Sequence, residues 1–143
     1  MSDFRKLTER VYVAPQLSKE DFAQAAALGV RHVINNRPDG EAPDQLQSEE
    51  ARAAAEAAGL SYHYAPFQGQ PTAQALETLS GLLAADDAPI LAYCRSGTRS
   101  STVWAMAAAK AHAMTADEIV ATARAAGYDF SQLRGLFETL ANE

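Results

Sequence analysis

Short apolar runs alternate along the chain with longer stretches of helical pattern. The apolar runs predict five strands, at Phe4–Leu7, Val11–Val13, Val30–Asn35, Leu60–Pro66 and Pro89–Tyr93. Helices are predicted between and after them, at about 18–29, 48–59, 71–85, 99–112 and 115–127, with a last one from Asp129 or Ser131. Alternating strands and helices are typical of an α/β domain with a mostly parallel sheet flanked by helices.

Residues that begin and end helices stand at several of these boundaries. Ser18 precedes two acidic residues, which favour a helix start, and Gly29 follows the same helical stretch. Thr115 and Glu118 have the spacing of a capping box, in which each side chain bonds the other residue's backbone amide. These signals fix the predicted helix boundaries independently of the apolar pattern.

Composition and net charge indicate how many domains the chain has and which classes of partner it does not bind. The 143 residues are 48% hydrophobic and 21% charged, which predicts one domain spanning 1–143. The net charge of −6 argues against nucleic acid and anionic membrane as partners, because both require a basic surface. The sequence shows no signal peptide and no apolar run long enough to span a membrane, and its single cysteine excludes an internal disulfide. We therefore expect a cytoplasmic protein.

Three loops are predicted to follow the carboxyl ends of strands, where sites form in parallel sheets. They are Asn36–Gln45, Phe67–Pro71 and Cys94–Thr98. The last contains the only cysteine, at a strand-to-helix turn. A thiolate is a nucleophile, and a helix N-terminus, converging loop amides and two arginines all favour its negative charge. The residues predicted to act are Cys94 and Arg99 as catalytic groups, with Arg95, Ser96, Gly97, Thr98 and Ser100 binding the substrate.

Within that loop, Gly97 permits a tight curl that a Cβ would obstruct, and Ser100 is expected to donate a hydrogen bond to the sulfur. The alternative, a small buried cysteine at a strand end, would leave the flanking arginines unexplained. In the neighbouring loop, Arg37, Asp39 and Glu41 are either turn and ion-pair residues or a second part of the site.

Other polar and aromatic residues are interpreted as structural. The three histidines show no metal-ligand spacing, and two side chains on the helix after the cysteine are expected in the core. These residues are His32, His63, His112, Trp104 and Met106. No metal and no cofactor is predicted.

The chain resembles the dual-specificity phosphatases over most of its length. Their strand, helix and strand pattern is matched by V-Y-V-A at 11–14, L-G-V-R-H-V-I-N at 28–35 and Y-A-P at 64–66. It is most similar to a bacterial group on this scaffold, the phosphatase-like domain of beta-lactamase-hydrolase-like proteins, through V-I-N-N-R-P-D-G-E at 33–41 and Y-C-R-S-G-T-R-S at 93–100. This resemblance implies a dual-specificity-phosphatase-like fold and a cysteine nucleophile.

Two departures from the phosphatase pattern concern chemistry. Only four residues separate Cys94 from Arg99, where the phosphatase signature has five, and the loop is similar to that of rhodanese sulfurtransferases. The loop at 67–72 carries no acid where phosphatases place the aspartate that protonates the leaving alcohol. Sulfur transfer releases stable anions that need little protonation, whereas an alkoxide without a general acid loses about two to four orders of magnitude in rate.

These observations favour a cysteine-dependent sulfurtransferase of rhodanese type that carries sulfane sulfur as a Cys94 persulfide. Its substrates would be thiosulfate or a persulfide, with a thiol or protein cysteine as acceptor. The alternative is a cysteine phosphatase that hydrolyses phosphate esters through a phosphocysteine, for which Asp39 or Glu41 would have to supply the proton. A third hypothesis is a weakly catalytic module that senses an anion.

Overall fold

A computed structural model of the protein describes residues 2–143, which form a five-stranded sheet. The strand order is β1-β2-β5-β3-β4, and only the edge strand β1 runs antiparallel to its neighbour. The strands are β1 (Arg5–Lys6), β2 (Val11–Ala14), β3 (His32–Asn35), β4 (Ser61–Tyr64) and β5 (Ile90–Tyr93). The predicted α/β class with a mostly parallel sheet is confirmed, and each strand lies inside its predicted run except β2, which extends one residue further, to Ala14.

Six α-helices connect or follow the strands. They are α1 (Lys19–Leu28), α2 (Ser48–Ala57), α3 (Ala73–Ala85), α4 (Thr98–Lys110), α5 (Ala116–Ala125) and α6 (Arg134–Ala141). The last predicted helix begins later than expected, because residues 131–133 first form a 3₁₀ turn. The capping box is confirmed: Thr115 Oγ1 accepts from the Glu118 amide at 3.2 Å, and Glu118 Oε1 accepts from the Thr115 amide at 2.9 Å.

The central strand β5 is buried on both faces because helices cover both sides of the sheet. Ile90 and Ala92 belong to the larger core under α3 to α6, whereas Leu91 and Tyr93 belong to the core under α1 and α2. Period-two alternation along a strand produces this division. β5 pairs in parallel with β2 and β3, so the residue after Tyr93 emerges in the middle of the sheet edge.

No helix within residues 2–143 is both long and apolar enough to cross a membrane.

Candidate active site

Cys94 lies at the carboxyl end of β5 and is fully buried. The Gly97 amide donates a hydrogen bond to its sulfur, with 3.1 Å between N and Sγ. Gly97 has φ of +94°, a left-handed conformation that residues with a Cβ rarely adopt, and α4 begins at the next residue. The short loop therefore curls around the sulfur and presents the N-terminus of a helix to it, which favours negative charge there.

Tyr128 supports this loop from behind. Its hydroxyl donates to the Ser96 carbonyl at 3.1 Å, and its ring stacks on Phe130, with 6.4 Å between ring centroids. The Arg5 guanidinium lies 5.1 Å from the centre of the Tyr128 ring and donates to the Ala126 carbonyl at 3.3 Å. The segment after α5 is thereby fixed against the cysteine loop.

Arg99 forms a two-point ion pair with Glu41. Its Nη1 and Nη2 atoms lie 2.9 and 2.8 Å from the two carboxylate oxygens, and Nη1 also donates to the Phe67 carbonyl at 3.0 Å. Hydrogen bonding to Glu41 raises the pKa of Arg99, and interaction with the Cys94 sulfur raises it further. Arg99, in the first turn of α4 after the cysteine loop, thus contacts residues of the other two predicted loops, and all three meet at one edge of the sheet.

Glu41 receives donors from three directions. Besides Arg99, the Arg37 Nε atom donates at 3.0 Å and the Gln68 amide nitrogen donates at 2.8 Å. Hydrogen bonding to Arg99, aided by that to Gln68 and Arg37, lowers the pKa of Glu41 to about 2. A carboxylate held ionised in this way orients arginine but has no proton to give at neutral pH.

The Asp39 carboxylate is bonded to the start of a helix. Its Oδ1 atom accepts from the Ser48 amide at 2.7 Å, at the first residue of α2, and its own amide donates to the Tyr64 hydroxyl at 2.9 Å. The carboxylate satisfies an amide at a helix N-terminus that has no partner within the helix. Both contacts are of the kind expected of a turn residue, the first of the two interpretations of this loop.

Arg37 is also hydrogen-bonded to surrounding residues of the protein. It is buried, with 4% of its surface exposed, and its Nη1 atom donates to the Gln16 side-chain oxygen at 3.0 Å. Its amide donates to the Asn35 side chain at 2.9 Å. Arg37 therefore holds Glu41 in place from the protein side.

Ser100 does not donate to the sulfur as predicted. Its hydroxyl donates to Asn36 Oδ1 at 2.8 Å, and the Asn36 side-chain nitrogen donates in turn to the Ala65 carbonyl at 3.0 Å. The buried amide of Asn36 requires partners, and the Ser100 hydroxyl is one of them. Ser100 consequently ties α4 to the strand ends.

The remaining predicted loop residues lie on the rim. Arg95, Ser96 and Thr98 are exposed, and the Ser96 and Thr98 hydroxyls lie 3.0 Å apart. Arg95 is linked to the scaffold through its carbonyl, which accepts from the Gln16 amide at 3.2 Å. Its side chain points to solvent, so Arg99 is the arginine that the fold places beside the sulfur.

The histidines lie away from the cysteine loop. His63 Nε2 is 3.5 Å from His32 Nδ1, and His32 Nε2 is 3.5 Å from an Asp86 oxygen. Among the residues described, no group of three or more His, Cys, Asp or Glu side chains is arranged to hold a metal ion. Trp104 is buried in the larger core as predicted, whereas Met106 is only half-buried.

Sequence reasoning missed Tyr128 and Asn36 as parts of this site. Asn36 directly follows a predicted strand on a sheet edge where sites form, so its position was a usable signal. Tyr128 lies after α5, 32 residues beyond the carbonyl it binds, and nothing in its local sequence indicates that contact.

The family model for the phosphatase-like domain of beta-lactamase hydrolase-like protein matches residues 3–111. The beta-lactamase hydrolase-like protein of Xylella fastidiosa is 32% identical over 127 residues, which are 88% of this chain and 30% of that protein. The chain therefore spans about 30% of the length of this curated relative.

Solved structures are similar over nearly the whole chain. A candidate phosphatase of Neisseria meningitidis is 34% identical, with a TM-score of 0.84 over 98% of this chain and 99% of that one. PTPMT1, solved in complex with PI(5)P, is 17% identical, with a TM-score of 0.73 over 97% of this chain and 94% of that one. At that identity the likeness to PTPMT1 concerns the fold, and the predicted dual-specificity-phosphatase-like scaffold is confirmed.

Proposed function

Because this chain belongs to the family of the beta-lactamase hydrolase-like protein's phosphatase-like domain, we propose that it is a cysteine-dependent phosphatase acting on phosphate monoesters with good leaving groups. One observation carries the proposal: Cys94 Sγ accepts the Gly97 amide at a helix N-terminus, beside the Arg99 guanidinium. The comparisons favour this alternative over the sulfurtransferase that the sequence pattern favoured, since the relatives with this fold are described as phosphatases.

The reaction follows from these groups. The Cys94 thiolate attacks phosphorus, an S–P bond forms, and the P–O bond to the leaving group breaks with its electron pair going to oxygen. Arg99 and the loop amides stabilise the negative charge of the transferring phosphoryl group. Water then attacks phosphorus, an O–P bond forms, and the S–P bond breaks with its electron pair returning to sulfur. Inorganic phosphate leaves with the oxygen and the protons of that water.

The leaving-group preference rests on the lack of a placed acid. The loop at 67–72 contains no carboxyl group, Asp39 bonds the start of α2, and Glu41 is ionised and paired with arginine. General acid catalysis contributes about two to four orders of magnitude. We therefore expect efficient turnover of aryl phosphates, whose phenolates leave unprotonated, and slow turnover of alkyl phosphates.

The test is a comparison of aryl and alkyl phosphates with the wild-type protein and Cys94→Ser. We expect hydrolysis that requires Cys94 and whose rate falls steeply as the leaving group becomes more basic. Mass spectrometry of rapidly quenched enzyme should show a phosphoryl group on Cys94. Hydrolysis that persists in Cys94→Ser, or a failure to hydrolyse any aryl phosphate, would contradict the proposal.

Sulfur transfer is the second candidate, and the four-residue spacing between Cys94 and Arg99 favours it. In that reaction the thiolate attacks the outer sulfur of thiosulfate, an S–S bond forms, and sulfite leaves with the electron pair of the broken bond. The resulting persulfide passes its sulfur to a thiol. Incubation with thiosulfate followed by mass spectrometry separates the two functions, because only a sulfurtransferase gains one sulfur atom at Cys94.

A further inference from the structure

An uncharged groove opens beside the candidate active site. It has a volume of about 340 Å³, and it is lined by Gly69, Gln70, Pro71, Thr102, Met106, Leu133 and Leu136. One wall is the loop that follows Phe67, whose carbonyl accepts a hydrogen bond from Arg99. The groove therefore shares a wall with the site that holds the predicted phosphate ligand.

The second wall connects the groove to Arg99 along one helix face. Arg99, Thr102 and Met106 are spaced by three and four residues, so they lie on the same side of α4. With a rise of 1.5 Å per residue, Arg99 and Met106 are separated by about 10 Å along the helix axis. A group bound beside Arg99 could extend directly over Thr102 to Met106.

The lining of this groove is chemically distinctive. None of its seven lining residues is charged, in a protein with a net charge of −6. Leu136 is 39% exposed, one of two large apolar side chains within residues 2–143 that are open to solvent. Met106 is half-buried instead of fully in the core as the sequence predicted. A second concavity, towards the C-terminal end of α4, carries Glu77 and Lys110. An uncharged, apolar group is the complement of this groove.

We propose that the groove is a substrate subsite that binds the apolar organic group of the phosphate monoester, with the phosphate held at Cys94 and Arg99. This inference rests on the proposed function, and it names the substrate class as esters of an aryl group extended by an uncharged chain. Leu136 and Met106 are the side chains that determine this specificity. Each methylene group buried in the groove strengthens binding by about fourfold.

The experiment uses a series of para-alkylphenyl phosphates bearing ethyl, butyl and hexyl chains. Their phenolate leaving groups are nearly equally basic, so the chemical step is the same and only the length of the apolar chain changes. We expect kcat/KM to rise about fourfold per methylene and then level off when the groove is full. Leu136→Ser and the nearly isosteric Met106→Gln should each flatten that dependence. Leu28→Ser is the matched control, because Leu28 is also a large apolar side chain exposed to solvent and lies on α1, away from the groove.

Binding of the same esters to Cys94→Ser, measured by calorimetry, separates this inference from the proposed hydrolysis. Affinity that rises with chain length and loses that rise in the Leu136→Ser background supports the groove, even if the wild-type protein hydrolyses none of the esters. Two results would contradict the assignment of the groove as a subsite and leave the phosphatase proposal standing. One is Cys94-dependent hydrolysis whose rate does not depend on chain length. The other is a dependence on chain length that Leu136→Ser and Met106→Gln leave unchanged.

Discussion

The hydroxyl of Tyr128 occupies the space into which a side chain at Gly97 would project. A Cβ at Gly97 would lie 2.0 Å from that oxygen, and the φ of +94° is itself unfavourable for any residue with a Cβ. The same hydroxyl donates to the Ser96 carbonyl at 3.1 Å. One aromatic residue thus fixes the two residues that precede α4 and, through the Gly97 amide, the environment of the sulfur.

Gly97→Ala should abolish hydrolysis, because the loop cannot keep both its conformation and the Tyr128 contact. Activity and thermal melting are measured together with those of Gly81→Ala. Gly81 lies within α3, and a Cβ there meets no atom within 4 Å, so the control should gain up to about 1 kcal/mol in stability. Full activity in Gly97→Ala would show that the loop conformation is not required.

Tyr128→Phe should cost about 1 kcal/mol of unfolding free energy, because one hydrogen bond to the loop is lost while the ring packing remains. We expect kcat to fall severalfold and KM to change less, since the cysteine loop is loosened. Denaturant unfolding and steady-state kinetics provide the two measurements. Tyr12→Phe, on β2, is the control for loss of a hydroxyl elsewhere, and equal kinetic losses in both variants would argue against a specific role for Tyr128.

Arg99→Lys should lower kcat/KM by at least about two orders of magnitude. Lysine cannot reproduce the paired contacts of guanidinium with Glu41 or with a phosphoryl group. Arg95→Lys is the comparison, since Arg95 is exposed on the rim, and it should lose no more than severalfold. If the Arg95 variant is the more damaged of the two, the assignment of the anion-binding arginine is wrong.

Glu41→Gln should destabilise the fold at neutral pH, because it leaves Arg99 and Arg37 without their carboxylate. The pKa of Glu41 falls from 4.5 to about 2 on folding, so its contribution is complete above pH 4.5 and disappears as the pH falls towards 2. Unfolding free energies of wild type and variant should therefore converge over that interval. The control is Glu77→Gln, on the exposed surface of α3, and a gap that stays constant with pH would contradict the ion-pair assignment.

Asp39→Asn tests whether this carboxyl group supplies a proton. Asparagine retains an oxygen that can accept from the Ser48 amide, so the start of α2 should remain bonded. We expect aryl phosphate turnover within about twofold of wild type, whereas Asp39→Ala should lose about 1 kcal/mol of stability. A collapse of alkyl phosphate hydrolysis in Asp39→Asn would instead identify Asp39 as the general acid.

The sequence by itself determined the elements of this protein and the position of the cysteine that we propose as its nucleophile. Strand runs, the Thr115 capping box and the turn after Tyr93 depend on residues within a few positions of each other, so they can be read locally. The parallel order then placed Cys94 and its two companion loops at one sheet edge, because parallel strands all end on the same side.

Only the tertiary structure decided which groups those loops bring together. Glu41 and Arg99 are 58 residues apart, and their pairing depends on how two loops approach across neighbouring strands. The same packing places Asp39 in hydrogen-bond contact with the start of α2, Ser100 with Asn36, and Tyr128 with the cysteine loop. Each of these contacts joins groups from separate segments that packing brings within hydrogen-bond distance, and sequence separation carries no information about that distance.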